Sequence, residues 1–299
     1  MPRVFFNSVT VGLIVFLYSA SVASDGGAID VGAGQFVFEY QNGRNNGRLT
    51  VWTYLPKEFA ANGPVLFVMH GVRRDGKRYR NEWMQHAERE KALLLVPEFS
   101  VKGFPGGRNY AAPKPNVDSG HSDDLPPSAF LVIERIFDHV LSTTRLETNE
   151  YLLYGHSAGA QFVHRFMLFN PHARVKTAVA ANAGWYTMPD FTIAFPYGLQ
   201  KSGLFESGLR EALGRKLIIL LGEKDTDPRH PLLNRSAFAM RQGPHRLERG
   251  KNFYRAATLA AEELNTPFHW QIATVPEADH DNAKMAPAAV PLLFPKTSH

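Results

Sequence analysis

Two runs constrain this chain more than anything else in it: Val65-Leu66-Phe67-Val68-Met69 and Leu217-Ile218-Ile219-Leu220-Leu221 are apolar at every position. A strand with one face in water alternates apolar and polar side chains, so a strand that does not alternate has both faces covered. That is the situation of inner strands in a mostly parallel sheet flanked by helices. Further candidate strands fall at 35–40, 49–55, 92–97, 150–154, 177–181 and 269–275, with the two apolar runs covering 65–70 and 216–221. The first two alternate and suit an antiparallel edge. Helical spacing of Phe130, Ile133, Phe137 and Val140 predicts a helix over 128–141, with Asp123 or Asp124 to cap it and Pro126 and Pro127 in its first turn. Residues 158–169 are apolar on almost all sides and predict a helix buried against the sheet, and 253–264 predict a more amphipathic one. The expectation is an α/β fold with an eight-stranded, mostly parallel sheet and helices on both faces.

With 299 residues, no internal repeat and no low-complexity linker, one domain over 24–299 is expected. Two connections, 184–214 and 226–250, are long for simple links and are expected to border the ligand crevice at the carboxyl ends of the strands. Residues 1–23 have the pattern of a cleaved signal peptide: Arg3, a short apolar run from Val9 to Ala20, then Ser21-Val22-Ala23. The run is interrupted by Thr10, Tyr18 and Ser19 and is short for a membrane anchor, so a periplasmic or secreted protein without stable membrane insertion is expected. The chain has no cysteine, which excludes disulfides, a thiol nucleophile and every cysteine-bearing metal site. Arg229, Arg235, Arg241, Arg246, Arg249, Lys251 and Arg255 form a basic segment that reads as a solvated surface strip, and no nucleic-acid motif accompanies it. Oligomeric state is not legible.

The chemistry centres on Gly155-His156-Ser157-Ala158-Gly159, a G-x-S-x-G sequence between a predicted strand and a predicted buried helix. Such a turn projects the serine hydroxyl above the sheet, and the helix after it directs its positive end at a developing oxyanion. Gly120-His121-Ser122-Asp123 repeats three of these residues without the preceding strand or second glycine and reads as loop. A serine hydroxyl needs a base, and the base needs an acid to orient it. Asp225 follows the strand ending at Leu221, with Asp227 as its rival, and His280 follows the last strand. A metal held by Asp279, His280 and Asp281 is disfavoured, because neighbours in an extended loop point different ways. Val72 and Ala158 are the expected oxyanion donors through their backbone N–H groups. Arg73 and Arg74 are candidates to grip a substrate carboxylate. Trp185, Tyr186, Phe195 and Tyr197 are candidates for a substrate pocket wall.

These residues resemble the α/β-hydrolase superfamily over nearly all of 24–299. Met69-His70-Gly71-Val72, Pro97-Glu98-Phe99, Phe104-Pro105-Gly106-Gly107-Arg108, the Gly-His-Ser-Ala-Gly elbow and Ala183-Gly184-Trp185-Tyr186 are similar to secreted bacterial esterases related to polyhydroxybutyrate depolymerases. The resemblance implies hydrolysis of a small or oligomeric ester, with Ser157, Asp225 and His280 matching the family triad and no cofactor. It leaves open amide, peptide or thioester cleavage or acyl transfer on the same residues, and a non-enzymatic envelope-binding role using the basic segment. Depolymerases of that group often carry a cysteine beside the oxyanion loop, which this chain lacks.

Overall fold

A computed structural model describes residues 29–42, 45–113 and 129–296. The expected signal segment 1–23, the Gly120–Asp123 loop, and the Asp123, Asp124, Pro126 and Pro127 helix start lie outside them. The strands are β1 (Gly32–Asn42), β2 (Asn45–Leu55), β3 (Val65–Met69), β4 (Leu93–Glu98), β5 (Tyr151–His156), β6 (Val175–Ala181), β7 (Leu217–Gly222) and β8 (Gln271–Val275). They form one sheet in the order β1-β2-β4-β3-β5-β6-β7-β8. β1 pairs antiparallel with β2, β2 antiparallel with β4, and all later pairings are parallel. The eight strands expected from the sequence are all present. β2 starts earlier than its alternation suggested because the β1–β2 hairpin is paired as far as Asn42 opposite Asn45.

Helices cover both faces: α1 (Gly76–Arg89), α2 (Arg108–Ala111), α3 (Ala129–Thr143), α4 (Ala158–Phe169), α5 (Glu206–Leu213), α6 (Ala237–Arg241), α7 (Arg246–Glu263) and α8 (Asn282–Leu293). The unbroken apolar runs have a direct cause. Val65, Phe67 and Met69 point into the core under α3 and α4, while Leu66 and Val68 point into the core under α1 and α8. β7 divides in the same way, Leu217, Ile219 and Leu221 to one side and Ile218 and Leu220 to the other. A polar residue anywhere in either run would be desolvated without a partner.

One sequence expectation is corrected. The basic segment is not a solvated strip throughout, because α7 begins at Arg246, well before the expected Phe253, with the His245 ring accepting from the Glu248 N–H as its cap. Helical spacing then turns Arg246 and Arg249 inward, 1% and 0% exposed, while Arg229, Arg235, Arg241, Lys251 and Arg255 remain at the surface. No helix among the described residues is long and apolar enough to cross a membrane.

Candidate active site

β5 delivers Ser157 to the carboxyl edge of the sheet, and α4 leaves directly behind it. Ser157 has φ 59° and ψ −114°, a left-handed backbone that costs a non-glycine residue on the order of 1–3 kcal/mol. The surroundings impose it: the Ser157 N–H donates to the Ala181 carbonyl at 2.9 Å, and its own carbonyl accepts from the Gln161 N–H. The two glycines of the motif are steric requirements. A Cβ at Gly159 would lie 2.0 Å from the Met69 carbonyl oxygen, and one at Gly155 would lie 2.3 Å from the Gly159 carbonyl oxygen.

Two further strand ends bring the other groups to this point. After β7 a tight turn carries Asp225, and after β8 a loop carries His280. The two are joined by the Lys224 N–H donating to the Ala278 carbonyl at 2.8 Å. Asn182, at the end of β6, accepts from the Gly222 N–H at 2.7 Å and donates to the Asp279 carbonyl at 3.0 Å. Gly222 has no room for a side chain, since a Cβ would meet the Ala278 carbonyl oxygen at 2.5 Å. In this frame Ser157 Oγ lies 2.9 Å from His280 Nε2, and His280 Nδ1 lies 2.7 Å from Asp225 Oδ2. Residues 123 and 55 positions apart thus form one hydrogen-bonded line.

Asp225 is 3% exposed. Burial alone would raise its pKa, but the hydrogen bond and charge of His280 and the charge of Arg246 outweigh it and hold the carboxyl below its ordinary value. Asp227 is exposed and accepts from the Arg229 N–H, so it does not reach the imidazole. Asp279 pairs with Lys284 and Asp281 caps α8, so the three consecutive residues around His280 point apart. No group of three or more metal-ligating side chains occurs among the described residues.

Ser157 opens on a cavity of about 350 Å³ whose wall includes both Val72 and Ala158. Ala158 starts α4, so its N–H has no acceptor within the helix. The Val72 loop is held from beneath by His70, whose Nδ1 donates to the Gly71 carbonyl while its Nε2 accepts from the Phe99 N–H. Trp185 and Tyr197 line the cavity from 184–214, with ring centroids 4.5 Å apart, and Leu232 and Asn234 line it from 226–250. Four sequence candidates lie elsewhere. Tyr186 is fully buried, stacked on Phe253 at 4.4 Å with its N–H donated to Gln242, because β6 leads straight into a packed turn. Phe195 packs on Phe169. Arg73 is exposed and outside the cavity wall. Arg74 turns inward to donate to the carbonyls of Phe99, Phe104 and Gly106, where it braces the loop rather than facing a ligand.

Sequence reasoning missed Arg246 and His230. Arg246 donates from Nη1 to Asp225 Oδ1 at 3.1 Å and from Nη2 to His230 Nδ1 at 3.1 Å. Its helical register against the acid turn was the only available signal, and that register depended on where α7 starts. Also missed was the buried His156 ring, 4.8 Å from that of His280 and bonded to the Tyr79 hydroxyl.

Several buried rings make stability pH-dependent. Burial pushes His70 down to about 4 from an ordinary 6.5, and holds His156 and His164 well below the ordinary value too. The unfolded chain therefore binds more protons than the folded one below about pH 6.5, so stability is full above that value and declines as pH falls toward 4. Between pH 7.5 and 5 the loss from His70 alone is about 2 kcal/mol. Urea unfolding at the two pH values measures it, and a midpoint unchanged between them would show that these rings take up protons without unfolding.

No family model matches the chain, and no curated protein does. Solved structures do. Poly(aspartic acid) hydrolase-1 from Sphingomonas sp. KT-1 is 40% identical with a TM-score of 0.83, over 89% of this chain and 100% of that one. LpqC, a poly(3-hydroxybutyrate) depolymerase from Bordetella parapertussis, is 35% identical with a TM-score of 0.80, over 88% of this chain and 89% of that one. An S-formylglutathione hydrolase from Agrobacterium tumefaciens shares the fold at 15% identity, with a TM-score of 0.54 over 89% of this chain and 98% of that one.

Proposed function

This chain belongs to the α/β-hydrolase superfamily, among its serine esterases and depolymerases, and is a hydrolytic enzyme; from that premise we propose that it cleaves carboxylic esters through an acyl-enzyme on Ser157. The observation that carries the reading is the line Ser157–His280–Asp225 ending at a cavity of about 350 Å³. Ser157 Oγ attacks the carbonyl while its proton passes to His280 Nε2. Asp225 receives the Nδ1–H bond, fixes the tautomer and stabilises the imidazolium. The Val72 and Ala158 N–H groups hold the oxyanion, each worth about 3 kcal/mol of barrier. His280 then protonates the leaving alcohol, and water, deprotonated by the same ring, releases the acid and restores Ser157. The cavity is near the lower end of the ~300–1,000 Å³ of ordinary ligand pockets, which favours a small or oligomeric ester with Trp185 against it. The 1–23 pattern supports export to the periplasm or medium.

A second reading has a specific basis: the relative at 40% identity acts on poly(aspartic acid), whose units are joined by amide bonds. A panel of p-nitrophenyl esters, thioesters and p-nitroanilides, with fluorophosphonate labelling, separates the two. The ester reading expects fastest turnover of an ester and labelling at Ser157. Turnover of an anilide with none of any ester would replace it by amide hydrolysis, and absence of labelling would defeat both.

A further inference from the structure

The geometry points to Arg246 as a positioning residue for the proposed hydrolysis, clamping Asp225 so that one carboxylate oxygen faces His280, with His230 in turn holding Arg246. Arg246 borders the cavity that Ser157 opens on, but its setting is unfavourable for a cation unless acceptors compensate it. It sits in the first turn of an 18-residue helix, where the backbone dipole disfavours a cation. Its side chain is 1% exposed, and its Nε is buried without a hydrogen-bond partner. Arg249, one turn on, adds a second buried cation that binds only the Gly243 and Gly184 carbonyls and the Met240 sulfur. Against this, Asp225 is met on both oxygens, by His280 at 2.7 Å and Arg246 at 3.1 Å, and the Leu247 N–H donates to the Asp225 carbonyl at 3.3 Å. The start of α7 therefore grips both the backbone and the side chain of the acid.

His230 completes the arrangement. Its Nδ1 accepts from Arg246 Nη2 and from the Leu232 N–H, which requires an unprotonated Nδ1, and its ring lies edge-on to that of His280 at 5.4 Å. The charged and titratable groups around this cluster are Asp225, Asp227 and Arg249 beside Arg246, Tyr186 beside Asp225 and Arg249, Tyr197 beside Arg249, and His156 beside His280 with Arg78 near it. The Arg246 charge offsets part of the attraction of Asp225 for an imidazolium. Its removal takes a like charge away from the imidazolium formed during the reaction, so the acid limb of the activity profile is expected at a higher pH.

The assignment rests on the Ser157 mechanism, and the test keeps the two apart. The kcat/KM pH profile for p-nitrophenyl acetate is measured per active site titrated with a fluorophosphonate. Arg246→Gln is expected to lower kcat about 10- to 100-fold, leave KM within about threefold, and move the acid limb up by about half a pH unit or more. Arg246→Lys, which keeps the charge, leaves the limb in place. His230→Leu lowers kcat severalfold, and His230→Gln, whose amide oxygen still accepts from Arg246, restores it. An unmoved limb with wild-type kcat per site in Arg246→Gln overturns the assignment. So does equal behaviour of His230→Leu and His230→Gln, which remains readable if Arg246→Gln does not fold. A Ser157→Ala protein that loses less than about a hundredfold in kcat defeats the underlying mechanism; a larger loss beside an Arg246→Gln protein with an unmoved limb and wild-type kcat defeats only the role of Arg246.

Discussion

Ser157→Ala is expected to lower kcat for a p-nitrophenyl ester by about a millionfold, and His280→Ala by a similar factor. In the proposed mechanism the two act as one unit: the hydroxyl is a poor nucleophile unless the ring 2.9 Å away takes its proton, and the ring has no task once the hydroxyl is gone. The double variant should therefore be hardly slower than either single one. Some rate above that in water should remain, because in the proposed mechanism the Val72 and Ala158 N–H groups still meet the substrate carbonyl. Steady-state turnover at saturating ester, with circular dichroism to confirm the fold, measures this. A loss under about a hundredfold in Ser157→Ala would mean that another group attacks the substrate.

Asp225→Asn is expected to cost about ten-thousandfold in kcat, while Asp227→Asn leaves it within about twofold. The asparagine that replaces Asp225 can present an N–H to His280 Nδ1, which favours the tautomer with its proton on Nε2, where the serine proton has to go. Asp227 stands on the exposed side of the same turn, bonded to the Arg229 N–H, and has no path to the ring. Asp225→Asn also leaves Arg246 buried without its counter-charge, a loss of about 3–5 kcal/mol in a desolvated pair. Rates should accordingly be normalised to titrated sites. Small losses in both variants would mean that either carboxylate of the turn can serve the ring, and large losses in both that the ring depends on each.

How much of this was legible depended on whether a residue's surroundings were local in sequence. The inner strands were readable because Leu217 to Leu221 must each meet a core, whichever side of the sheet they face. The 158–169 helix was readable for the same reason. α1 carries only Tyr79, Trp83 and Ala87 as its apolar stripe among many charges, and α8 contains Pro287 and Pro291, so neither shows a strong pattern. At the site, Ser157 carries its signal in five consecutive residues. Tyr186 and Trp185 are neighbours of similar chemistry, yet only Trp185 lines the cavity, because the backbone direction after Ala183 is set by packing on Phe253 and Gln242. Arg246 looked like one charge among seven in a basic run, and only the register of α7 against the Asp225 turn separates it from Arg241 or Lys251.

The order in which the pieces occur along the chain has a consequence for synthesis. β3, β4, β5 and α4, which shape the elbow, are all translated before residue 170, whereas the ring that activates the hydroxyl follows Ser157 by 123 positions. A nascent chain therefore carries an unarmed serine until the 123 residues that separate it from the ring have followed. The hydrogen-bonded line is complete only once β8 is paired with β7 and the loop after it brings the imidazole to the elbow.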